Sequence, residues 1–144
     1  MKLEEIQSLW EKDSVIDRSE LGEESLKIPQ LHSKYYKIYS EERMSLRKLE
    51  YQYNHLKKLK SSYYNGSMSE EELNEHGWEP NPLKILKSDI PMYIESDSDV
   101  ITLQTKIDMQ QEKVEFVESI IKSFTTRGYQ IKSAIDWAKF QVGL

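Results

Sequence analysis

The sequence predicts an all-α protein made of two long helices joined by an acidic, proline-containing connector. Three observations carry that prediction. Apolar and aromatic residues recur at steps of three and four over Ile28, Leu31, Tyr35, Ile38, Glu42, Leu46, Leu49, Tyr53, Leu56, Lys60 and Tyr63, with one four-residue stutter at Glu42–Leu46. A second series, from Val100 through Leu103, Ile107, Gln110, Val114, Val117, Ile121, Phe124, Gly128, Ile131, Ile135 and Ala138 to Val142, alternates the same steps without a slip. Between the two, Pro80, Pro82 and Pro91 forbid a long regular element. The chain therefore reads as an N-terminal helical region over 1–66, a connector over 67–97 and a C-terminal helix region over 98–144, all within one domain per protomer.

Each element has its own signals. Leu3, Ile6, Leu9 and Trp10 lie on one side of a short helix over 3–12, which Asp13 and Ser14 end. Asp17 and Ser19 are caps for a segment that runs into Pro29, read as a kink in a longer helix. The central helix runs to about Tyr64 and stops at Asn65-Gly66. From Leu31 it is about 50 Å long at ~1.5 Å per residue, and a single apolar stripe of that length needs a partner helix. Ser69 followed by Glu72 signals a short acidic helix ending by Gly77. LKIL and MYI read as strands or packed extended chain. Asp97, Ser98 and Asp99 cap the last helix, expected over about 98–142. The seam phase survives Gly128, which is expected inside the helix at a close helix–helix contact.

Composition narrows the function. The 144 residues are 38% hydrophobic and 31% charged, which is lean for a self-sufficient globule, and burial shared between copies is one way to supply the deficit. The absence of cysteine excludes disulfides, thiolate metal sites and thiol nucleophiles. His32, His55 and His76 have no metal-ligand spacing, Asp97 and Asp99 lack the rest of a calcium loop, and no Gly-rich phosphate loop or nucleophile motif is present. The expectation is a non-enzymatic protein without cofactor or metal. The N-terminus has no signal-peptide core and no apolar run approaches spanning length, so a soluble intracellular protein with no membrane partner is expected.

Charge is unevenly placed. The net charge of −5 divides into −4 over 1–30, +5 over 31–66, −7 over 67–99 and +1 over 100–144. Seven of the nine tyrosines fall in the basic stretch, a combination that suits a polyanion with stackable bases. Its sharpest part is HLKKLKSSYYNG. At roughly 100° per residue, Lys57, Lys60, Tyr53 and Tyr64 share a sector of about 60°, with Lys58 turned away. These lysines would neutralise phosphates while a tyrosine receives a base. The competing explanation is that the lysines complement the helix C-terminal dipole and the tyrosines merely pack.

LRKLE, LKKLKSSYYNG and RGYQIKSAIDWAKFQVG resemble the corresponding stretches of the UvsY family, recombination mediators of T4-type bacteriophages, and the resemblance extends over essentially the whole chain. It implies a ring-forming homo-oligomer that binds single-stranded DNA and helps load a RecA-like phage recombinase onto strands coated by the phage single-strand-binding protein. The setting would be the cytoplasm of an infected bacterium. The family's basic L-K-x-[R/K] run before a Tyr-Tyr pair is occupied here by Leu56 to Lys60, with lysine at 60 where arginine is familiar. By that resemblance Lys58 and Lys60 inherit the DNA-binding role, and the cluster itself adds Lys57, Tyr63 and Tyr64 to the expected DNA-binding residues. Assembly falls to the C-terminal seam: Val117, Ile121, Phe124, Gly128, Ile131 and Ile135. Two rival functions follow from the residues alone. One is a structural coiled-coil adaptor with solvated lysines. The other is an inhibitor or chaperone whose acidic connector mimics nucleic acid.

Overall fold

A computed structural model describes all residues, 1–144, and every regular element is helical. The elements are α1 (Leu3–Asp13), α2 (Leu21–Leu26), α3 (Ile28–Tyr64), α4 (Glu70–His76), a 3-10 turn (Lys87–Asp89), α5 (Ile90–Glu95) and α6 (Ser98–Gln141). They form two compact units, one of residues 1–45 with 110–144 and one of residues 46–109.

The two long helices follow the expected periodicity closely. Every seam position of α3 from Ile28 to Tyr63 is buried or half-buried. In α6 the same holds from Val100 to Ile135, whereas Ala138 and Val142 are exposed. Two expectations at prolines need correction. Pro29 is not a kink: α2 ends at Leu26, and Pro29 falls in the first turn of a new helix, where its missing N–H would have had no partner. MYI is not extended chain but part of α5, with Pro91 again in the first turn. Ser69 caps α4 as expected, its hydroxyl accepting from the Glu72 N–H at 3.2 Å, and Gly77 closes the helix at φ 68°.

In the unit of 1–45 and 110–144, Ile6 of α1, Tyr35 and Ile38 of α3, and Val117, Ile120 and Phe124 of α6 form one core. Trp10 packs edge-on against Tyr35 and Phe124, at ring-centre distances of 5.4 and 5.8 Å. Burial and the Asp13 carboxylate, which accepts the Tyr35 hydroxyl at 2.8 Å, push the Tyr35 phenol above its ordinary pKa. Polar residues at seam positions find one another. Gln110 donates to the Glu42 carboxylate at 2.8 Å, and Lys113 pairs with it at 3.3 Å. Burial alone would raise the Glu42 pKa, but these partners hold it below the usual range.

Gly128 does lie inside α6, yet no backbone closes on it within the protomer. A Cβ added there would meet only the Ile28 side chain, at an ordinary 3.9 Å. Gly128→Ala is therefore expected to stabilise the protomer by up to ~1 kcal/mol through helix propensity. Urea denaturation checks this, and a loss of stability would mean that the added methyl group disturbs the contact with Ile28.

Candidate nucleic-acid interface

The unit of residues 46–109 holds the lysine and tyrosine cluster. Ile90 and Ile94 of α5 and Val100 of α6 form its buried centre, and Tyr53, Leu56 and Tyr64 of α3 pack against them. The helical sector shared by Tyr53, Leu56, Lys60 and Tyr64 thus faces inward. It does not offer a ligand surface.

Lys60 is the clearest case. It is 4% exposed, although it was expected among the phosphate-binding lysines. Its ammonium lies 2.8 Å from the Asp99 carboxylate, 3.2 Å from that of Asp97 and 3.9 Å from the centre of the Trp78 ring. Asp97 is equally enclosed. It caps α6 by accepting the N–H groups of Asp99 and Val100 at 2.9 and 3.1 Å, and it accepts the Tyr64 hydroxyl at 2.6 Å. Burial works to raise the Asp97 pKa. The Tyr64 hydroxyl, the Val100 N–H and Lys60 outweigh it and hold the carboxyl below its ordinary range. The Tyr64 phenol moves the other way, raised by burial and by Asp97.

Tyr63 is half-buried. Its hydroxyl donates to the carbonyl of Glu79 at 2.8 Å, and its ring stands edge-on to Tyr64 and Trp78 at 5.1 and 5.5 Å. Tyr64 also meets Tyr93 at 5.7 Å. Both rings of the pair are thus engaged by the protein itself. Lys57 and Lys58 are exposed, with the Lys57 ammonium 5.4 Å from the Tyr53 ring centre. The ion pairs of this unit belong to Lys60, so Lys57 and Lys58 keep their charge facing water.

The residues assigned to assembly divide as well. Val117, Phe124 and Ile131 are at most 4% exposed within the protomer, and Ile121 packs beside the same core. Ile120, 2% exposed, belongs to that core too, although the three-four series passed over it. Ile135 and Gly128 are half-buried. What the protomer leaves open is the far end of α6: Trp137 and Phe140 are 59% and 71% exposed, with their rings stacked 5.5 Å apart. Asp97, Asp99 and Trp78 as partners of Lys60 were also missed, the first two because their capping pattern already explained them. No group of His, Asp and Glu side chains could hold a metal ion, and no helix is long and apolar enough to cross a membrane.

The fold and this cluster define a wholly helical protein with free basic side chains on one of its two long helices. Residues 9–144 match the family model described as recombination, repair and ssDNA binding protein UvsY, and the chain belongs to that family. It is 25% identical over 143 residues to the recombination protein uvsY of Enterobacteria phage T4, covering 99% of both chains. A crystal structure of the bacteriophage T4 recombination mediator protein UvsY superimposes with a TM-score of 0.85 at 25% identity, again over 99% of both chains. A second lattice form of that protein gives 0.85 at 23% identity, covering 97% of this chain and 99% of that one, and shows the shared fold.

Proposed function

We propose that this protein is a non-enzymatic recombination mediator that binds single-stranded DNA. On this reading it helps a RecA-like phage recombinase replace the phage single-strand-binding protein, in the cytoplasm of an infected cell. The observation that carries the proposal is the exposed, unpaired Lys57 and Lys58 near the C-terminal end of α3, in a chain of this family. These two lysines take phosphate. Lys60, Tyr63 and Tyr64 act behind them by fixing the end of α3 against α5 and the start of α6. Each protomer would bind weakly, and a ring of copies raises the avidity by making later contacts intramolecular. The exposed Trp137 and Phe140, with Ile135 and Gly128, are the surface proposed to receive a second copy, while Val117, Ile121, Phe124 and Ile131 support it from within the protomer.

A labelled oligonucleotide titrated at several salt concentrations tests the proposal. Lys58→Ala is expected to weaken binding equally for all base sequences and to lower the slope of log affinity against log salt by ~0.7 per engaged site. Helicity and thermal stability should not change, because Lys58 is exposed. Absence of oligonucleotide binding by the unaltered protein would favour the structural adaptor instead.

A further inference from the structure

The outer face of α3 groups Lys58 with four side chains that lie outside the run from Leu56 to Gly66. At roughly 100° per residue, Arg47, Lys58, Tyr51, His55 and Lys48 fall, in that angular order, within about 100°. This sector lies opposite the one occupied by Leu49, Tyr53, Leu56, Lys60 and Tyr64. All five side chains are exposed. Glu50, the acid of residues 46–64, lies off this face, and no carboxylate of the unit neutralises Arg47, Lys48 or Lys58, since its ion pairs are those of Lys60. From Arg47 to Lys58 the face is about 16 Å long.

Tyr51 stands in the middle of this cationic face with 68% of its surface exposed. The other tyrosines of the unit are engaged: Tyr53 carries Lys57 on its ring, Tyr63 meets Tyr64 and Trp78, and Tyr64 meets Tyr93. A stacking platform needs an open aromatic face with cations near enough to hold the adjoining phosphates. In this unit Tyr51 is the tyrosine that meets both requirements. A water-exposed phenol on a helix gains nothing by burial in the protomer, so packing does not account for it.

We infer that Tyr51 is the base-stacking residue of the single-stranded DNA site, with Arg47 and Lys58 holding phosphates on either side of it along α3. Lys48 and His55 edge the same path. The inference rests on the proposed DNA-binding function and places its base contact on the outer face of α3, not at the Tyr63–Tyr64 pair expected from the sequence. Charge complementarity selects the occupant, because three uncompensated cations around an open ring fit a flexible polyanion whose bases are unpaired.

The test compares a fluorescent oligothymidylate with an abasic deoxyribose-phosphate oligomer of equal length, titrated into the full chain at several salt concentrations. Tyr51→Ala is expected to weaken thymidylate binding about 5- to 150-fold with an unchanged salt slope. Abasic binding should be unaffected. Tyr51→Trp should retain or improve thymidylate binding, which separates stacking from any effect on folding. Arg47→Ala with Lys58→Ala should lower the salt slope by ~1.4 on both ligands. Wild-type thymidylate affinity in Tyr51→Ala, or an equal loss on the abasic oligomer, would overturn the inference while leaving DNA binding intact. If the unaltered protein binds neither oligomer, the functional reading beneath it fails as well.

Discussion

Lys60→Ala should destabilise the unit of residues 46–109 by about 3–5 kcal/mol, the cost of leaving one member of a buried ion pair without its partner. The side chains of Lys60 and Asp97 are 5% and 7% exposed, so the carboxylate that remains would sit in a site with little access to water. Asp99 adds less, because its own side chain is 55% exposed and solvent screens it. Lys60→Met retains the volume of the stem and should still show most of the loss. Adding Asp97→Asn to Lys60→Met should recover part of it, since no buried charge is then stranded, and urea denaturation of the unaltered protein, Lys60→Met, Asp97→Asn and the double variant would give the coupling. The pH dependence has a definite sign. The folded Asp97 carboxyl is held below its unfolded value, so its contribution is complete above ~3.9 and is lost as pH falls through the folded value. Removing Lys60 removes one of the groups that hold it down. The acid transition should therefore move to higher pH.

Arg127→Ala is expected to cost a similar ~3–5 kcal/mol, in the unit of residues 1–45 and 110–144. The guanidinium is 5% exposed and donates to the carbonyls of Ser14 and Val15 at 3.1 and 3.3 Å and to the Glu24 carboxylate at 3.2 Å. It thereby ties the turn after α1, and α2 behind it, onto α6. Truncation would strand Glu24, itself 4% exposed, with only the exposed ammonium of Lys27 at 3.0 Å. Arg127→Lys should restore only part of the stability, because a single ammonium cannot reach three acceptors that a planar fork reaches together. Thermal or urea denaturation measures both variants. Unchanged stability in Arg127→Ala would mean that the turn is held by other contacts.

The long helices were legible because their apolar spacing encodes burial directly, and nearly every seam position is covered in the structure. That pattern also held information against the family motif. Lys60 falls on the seam of α3, where a side chain points inward, and its burial follows the period rather than the charge. The partners were less visible. Asp97 and Asp99 lie 37 and 39 positions along the chain from Lys60, and Arg127 is separated by over a hundred from Ser14 and Val15, so no local spacing links them. Pro29 and Pro91 misled because proline disrupts a helix interior but fits its first turn, and sequence alone did not fix which position each takes. Tyr51 was hidden among seven tyrosines of one stretch. Its own exposure, with the other tyrosines of its unit engaged, sets it apart.

On the proposed function, α3 presents Lys57 and Lys58 to DNA while Lys60 is enclosed inside the fold. Lysine-selective acetylation, quantified residue by residue with and without a saturating oligothymidylate, tests it most directly. Lys57 and Lys58 should react readily in the free protein and be protected when the oligonucleotide is bound. Lys60, enclosed by Asp97, Asp99 and Trp78, should stay unreactive in both states. A Lys60 that reacts in the free protein and is protected by DNA, or a Lys58 equally reactive with and without it, would contradict the account.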